Sequence, residues 1–168
     1  GPPGTGKTLL CRAISQEVEA TFIWVTARHM QEDADVVATV WKLARMLRPT
    51  VILLEDIDMF AESRELSFCS NILGELMTQM DGAEENDGIL TIATTNRLDV
   101  IEKALRNRPG RFDRVIHFGP LDDADRRELL RRHLVSDCFE ADSLDLLVKR
   151  TEGFTGAQVV EVAKTIIE

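Results

Sequence analysis

Gly1-Pro2-Pro3-Gly4-Thr5-Gly6-Lys7-Thr8 fits the spacing G-x-x-x-x-G-K-S/T, the P-loop. Those residue types do one kind of chemistry. Glycines let backbone N–H groups turn inward and approach phosphate oxygens closely. The lysine reaches β- and γ-phosphates, and the hydroxyl after it holds Mg2+. The segment therefore reads as a phosphate cradle, with Lys7 as its cation and Thr8 as a metal ligand. The competing reading is a Gly/Pro turn that happens to precede Lys-Thr.

Further candidates come later in the chain. The apolar run Val51–Leu54 ends in Glu55-Asp56-Ile57-Asp58. A carboxylate at the end of a buried strand can help hold Mg2+, and one beside it can polarise a water. A solvated acidic turn is the alternative, and the upstream loop weakens it. Ile89–Thr94 runs into Thr95-Asn96-Arg97. The Asn96 amide can touch a γ-phosphate or orient water, although Asn after a strand is commonly a turn residue. Arg111 and Arg114 lie three apart in Arg108-Pro109-Gly110-Arg111-Phe112-Asp113-Arg114. Guanidinium groups stabilise charge on a transferring phosphoryl group, from the same chain or a neighbour. Surface charge or a pair with Asp113 explains that feature alone equally well.

These residues need elements to hold them. Leu9, Leu10, Ala13, Ile14 and Val18 recur at helical spacing, so the loop opens a helix whose N-terminus favours an anion. Thr21–Thr26 is β-branched and aromatic and reads as a strand. Val37, Val40, Trp41, Ala44 and Leu47 give a helix stopped by Pro49. Phe68, Ile72, Leu76 and Met80 step by four, giving a helix closed by Asp81-Gly82. Val51–Leu54 and Ile89–Thr94 are strands buried on both faces, as in a parallel sheet, and Val115–Phe118 reads as a short strand. Strands alternating with helices mean an α/β layered fold. After Pro120 only helices are expected, over Ala124–Leu134, Leu144–Val148 and Ala157–Ile167. Thr155 and Gln158 have the spacing of a capping box. The expected division is 1–121, a large α/β nucleotide-binding part, and 122–168, a helical lid. A P-loop joins a strand to a helix, and that strand is expected before Gly1.

Composition narrows the class. The chain has 168 residues, enough for one core without disulfide or metal support. Lys plus Arg number 20 against 29 Asp plus Glu, a net charge of -9, which argues against a surface that coats nucleic acid. No apolar run is long enough to span a membrane. Cys11, Cys69 and Cys138 are odd in number and widely spaced, and read as packed, reduced thiols.

With these residues in view, the chain resembles the AAA ATPases. The matching stretches are GPPGTGKT, VILLEDID, ELMTQMDG at Glu75–Gly82, TIATTNRLDV at Thr91–Val100, RPGRFDR at Arg108–Arg114, and GFTGAQ at Gly153–Gln158. The resemblance implies a three-layer α/β/α P-loop fold with a parallel sheet, its first strand truncated, followed by an incomplete helical lid. It implies ATP and Mg2+ as cofactors. ATP-binding positions are Gly1, Pro3, Gly4, Thr5, Gly6, Lys7, Thr8 and Leu9, with His133, Gly156 and Ala157 from the lid. Thr8 and Glu55 face the metal. Asp56 activates water, Asn96 orients it, and Arg111 and Arg114 are arginine fingers serving a neighbouring subunit. It also implies a homo-oligomeric ring, expected as a hexamer, an unknown protein client and a cytoplasmic location. Four departures stand out. The acidic pair runs Glu-Asp rather than Asp-Glu. No aromatic-hydrophobic-Gly pore motif lies between Thr26 and Val36. The stretch from Asn96 to RPGR is one residue longer than usual. The first strand and last lid helix are absent. One functional alternative is a nucleotide-gated assembly module that hydrolyses slowly or not at all. Another, a P-loop kinase or nucleic-acid motor, leaves RPGRFDR and the lid motif unexplained.

Overall fold

The computed structural model describes residues 1–32, 35–59, 66–81, 85–99, 101, 112–134 and 141–167. Its described helices are α1 (Lys7–Glu17), α2 (Ala27–Glu32), α3 (Asp35–Met46), α4 (Leu66–Asp81), α5 (Asp123–His133), α6 (Ala141–Arg150) and α7 (Gly156–Ile167). The strands are β1 (Thr21–Thr26), β2 (Thr50–Glu55) and β3 (Ile89–Ala93), paired in parallel in the order β1-β2-β3. The chain forms two compact units, Thr8–Val115 and Gly1–Lys7 with Ile116–Glu168.

In Thr8–Val115 the apolar runs become the parallel sheet. β2 is central, paired at both edges, and helices cover both its faces. Val51, Ile52, Leu53 and Leu54 are all buried, which is why its sequence shows no alternation. Ile52 and Leu54 point into a core built with Val37, Trp41 and Ala44 of α3 and Ile72, Leu76 and Met77 of α4. On the other face, α1 runs past Trp24 and Glu55. Helices on both faces make the three-layer α/β/α arrangement of P-loop nucleotidases. Main-chain register pairs Thr26 with Glu55 and Leu54 with Ala93, so the strands end together. The Thr50 hydroxyl donates to the Ala44 carbonyl at 3.0 Å, tying the end of α3 to the start of β2.

The second unit is helical. Leu130, Leu134, Val148, Val159 and Ala163 form its core. Asp122 caps α5 by accepting from the Asp125 N–H at 2.8 Å. Acidic residues fill the first turn of α5 and basic residues its last, which suits the helix dipole. Arg126 is buried, and it donates to the carbonyls of Leu121 and Val148 and to Asp123. At α7 the Gln158 carboxamide accepts from the Thr155 N–H at 2.8 Å, one half of the expected capping box.

Two elements differ from the sequence reading. β3 forms as expected but is not buried on both faces: Leu90 is 56% exposed and the rest of the strand is half-buried, as it lies at the edge of the described sheet. Residues 115–118 are irregular rather than a strand. Val115 and Ile116 are exposed, and the Phe118 carbonyl lies so close to Gly1 that any side chain there would collide with it. The segment has no strand partner among the described residues, and an unpaired run cannot form a ladder. No helix among the described residues is long and apolar enough to cross a membrane.

Candidate functional site

At the C-terminal ends of β2 and β3, four sequence candidates come together inside Thr8–Val115. Thr8, in the first turn of α1, donates its hydroxyl to Glu55 Oε1 at 2.5 Å. Glu55 is the last residue of β2, and Asp56 follows it at a φ of 54°. That left-handed conformation turns the chain sharply, and Asp tolerates it better than most residues. Asn96, just past β3, donates its side-chain amide to Asp56 Oδ1 at 3.2 Å. The candidate metal acid, base and water-orienting amide thus share one strand end.

Two further residues hold that arrangement. Thr94 accepts the Asp56 N–H on its hydroxyl at 3.2 Å and the Ile57 N–H on its carbonyl at 3.1 Å. It also donates its own N–H to the Leu54 carbonyl at 2.9 Å. Asp58, buried, accepts the Asn96 N–H at 3.0 Å. The sequence reading missed both roles, together with Trp24, whose indole N–H donates to Glu55 Oε2 at 3.1 Å. The signals were present: Asp58 is the third acid of Glu55-Asp56-Ile57-Asp58, and Thr94 is a hydroxyl at a buried strand end. Burial pushes the Cys11 thiol up from its ordinary value, and the Glu55 charge adds to it.

Thr8 and Glu55 offer a hydroxyl and a carboxylate, both hard oxygen donors. Among the described residues no cluster of three or more His, Cys, Asp and Glu could cage a metal. Mg2+ suits such a sparse donor set, because it keeps several waters and takes further oxygens from phosphates. The residues present therefore fit the ion implied by the motifs.

The loop Gly1–Lys7 belongs to the helical unit. Gly4 and Gly6 have φ of 77° and 98°, the turn geometry glycine allows. Thr5 is buried and donates its hydroxyl to the Pro2 carbonyl at 2.8 Å. Lys7 Nζ donates to the carbonyls of Gly1 and Pro2, each at 2.7 Å, which draws the ammonium back over the loop. The Ala157 N–H donates to the Gly4 carbonyl at 3.0 Å, so the loop docks on the start of α7. Gly156 and Ala157 are thereby brought to the loop. Pro3 lies exposed in the loop, and Leu9 on α1 is 70% exposed.

His133 sits exposed in the last turn of α5, with its Nδ1 bonded to the Leu129 carbonyl at 2.9 Å. Arg114 is exposed, and Arg111 lies outside the described residues.

Comparison with known proteins gives a consistent picture. A family model, "ATPase family associated with various cellular activities (AAA)", matches residues 1–120. An ATP-dependent zinc metalloprotease FtsH from Mycoplasmopsis synoviae (strain 53) is 39% identical over 174 residues, covering 96% of this chain and 26% of the relative. A proteasome-activating nucleotidase from Sulfurisphaera tokodaii is 37% identical, covering 96% of this chain and 44% of the relative. A chain from a structure of katanin self-assembly superposes with a TM-score of 0.76 at 33% identity, covering 98% of this chain and 55% of that one. The chain thus spans between about a quarter and about half of the proteins it resembles.

Proposed function

This chain belongs to the AAA family of ATPases, and on that premise we propose that it binds ATP with Mg2+, hydrolyses the β–γ phosphoanhydride, and works as one module of a homo-oligomeric ring that remodels protein clients. The observation that carries this reading is the strand-end cluster, where Thr8 meets Glu55 and Asn96 meets Asp56. In it, Thr8 and Glu55 would hold the metal, which would supply charge neutralisation at the nucleotide's phosphates. Asp56 accepts a proton from the attacking water, and Asn96 fixes that carboxylate and the water beside it. Lys7 and the backbone of Gly1, Pro3, Gly4, Thr5 and Gly6 bind the phosphates. Leu9 packs near them, and His133, Gly156 and Ala157 contact the nucleotide from the lid side. Arg111 and Arg114 stabilise transition-state charge in a neighbouring subunit. The functional division is 1–121 for the nucleotide-binding part and 122–168 for the lid. The names of the relatives, a protease and a proteasome activator, support a protein client.

A second reading is a nucleotide-gated assembly module with slow hydrolysis. The Glu55-Asp56 order and the lack of an aromatic pore motif before Val36 favour it.

One experiment separates the outcomes: ATP affinity and turnover of the full-length protein, as wild type and as Lys7→Ala. Removing a charged donor to phosphate costs about tenfold or more in affinity. Unchanged affinity in the variant overturns the P-loop assignment. Tight binding lost in the variant, with negligible wild-type turnover, selects the assembly module.

A further inference from the structure

We propose that Trp24 is a positioning residue for the metal-side carboxylate, acting through its indole N–H on Glu55. This rests on the nucleotide reading above. The strand register explains the geometry. Thr26 pairs with Glu55 and Trp24 with Leu53 on the neighbouring strand. Residues two apart share a face of a sheet, so Trp24 and Glu55 are diagonal neighbours on the face that α1 crosses. The distance between them is spanned because both side chains are long. An aspartate at 55 is about 1.5 Å shorter and falls out of reach of the indole.

Each oxygen of Glu55 holds a different donor from a different element. The Thr8 hydroxyl of α1 takes Oε1 at 2.5 Å, and the Trp24 indole of β1 takes Oε2 at 3.1 Å. A carboxylate held at both oxygens cannot rotate about its last bond without breaking one of these bonds. Its remaining lone pairs then face a fixed direction. The ring itself is braced: the Arg12 guanidinium carbon, one turn along α1 from Thr8, lies 5.7 Å from the Trp24 centroid.

The chemical type of the donor matters. Indole is a donor without charge. It orients Glu55 without neutralising it, whereas a lysine or arginine in its place would compete with a cation for the carboxylate. Outer partners of metal ligands typically set metal affinity by a factor of about 10 to 100.

The test is ATP affinity of the full-length protein, measured with Mg2+ and again with EDTA, for wild type, Trp24→Phe, Glu55→Asp and the double variant. Phenylalanine suits a strand as well as tryptophan does, and it leaves an aromatic ring at the position beside Arg12. Trp24→Phe is expected to weaken binding about tenfold with Mg2+ and to leave binding in EDTA within about twofold. In the Glu55→Asp background, adding Trp24→Phe is expected to change nothing further, because the hydrogen bond is already gone. Wild-type affinity in Trp24→Phe overturns the proposal. So does an equal loss with and without Mg2+, or a full Trp24→Phe effect in the Glu55→Asp background, since either means the ring acts through packing alone. A wild type that binds no ATP under either condition overturns the nucleotide reading, and this proposal with it.

Discussion

Asp56 is the residue where backbone and chemistry constrain each other most tightly. Its φ of 54° lies in the left-handed region, where Asp and Asn are tolerated and longer side chains are strained by about 1–2 kcal/mol. The usual expectation is that glutamate, with its longer reach, is the better base. Here the strand end is already turned so that Asp56 Oδ1 meets the Asn96 amide at 3.2 Å. Asp56→Glu is therefore expected to slow single-turnover hydrolysis and to lower stability by about 1 kcal/mol. Asp56→Asn keeps the conformation, so it should retain ATP binding and lose roughly a hundredfold or more in hydrolysis. Rapid-quench measurement on the full-length assembly checks both. Hydrolysis in Asp56→Glu as fast as in wild type would show that the backbone at 56 sets no limit.

At the scale of elements, the loop and the start of α7 form a close junction. Two glycines meet there with different obligations. Gly4 has a positive φ, and a Cβ on it would stand 3.0 Å from Ala157 Cβ and from Thr155 Oγ1. Gly156 has only ordinary contacts around such a Cβ, the nearest at 3.6 Å from the Gly4 carbonyl. Gly4→Ala should thus cost roughly 1–3 kcal/mol and displace the loop, while Gly156→Ala should lie within about 0.5 kcal/mol of wild type. Thermal unfolding of the two variants, with ATP affinity alongside, measures the contrast. Equal effects would mean that the junction does not depend on the approach at Gly4.

At the scale of the molecule, the proposed role of the arginines across a subunit contact carries its own prediction. Arg114 is exposed, which leaves it available to a neighbour rather than committed to its own core. A trans role predicts that Arg114→Ala binds ATP normally and loses most turnover. Mixing it with Lys7→Ala should then restore part of the activity, since some contacts pair an intact loop with an intact arginine. Full activity in strictly monomeric protein, with no rescue on mixing, would place the arginine's action within its own chain. The same mixing of Arg111→Ala tests the other finger.

Much of this was legible in the sequence, because the determining physics is local. Glycines at 4 and 6 permit the positive φ that the loop adopts. An uninterrupted apolar run at 51–54 means two covered faces, and β2 proved to be the central strand. The spacing from Thr155 to Gln158 gave the start of α7. Other features depended on which residues the fold makes neighbours across long separations. Trp24 lies 31 positions from Glu55, and only the register of β1 on β2 puts them on one face. Asn96 meets Asp56 across 40 positions, and Asp58 meets Asn96 across 38. Residues 115–118 carry strand-forming side chains, yet a strand exists only where another edge pairs with it, and that is settled by tertiary structure alone. The sequence by itself determined the chemistry available and the elements that carry it. The three-dimensional fold decided which donor faces which oxygen, because hydrogen bonds depend on distances of a few ångströms that residue spacing along a chain does not encode.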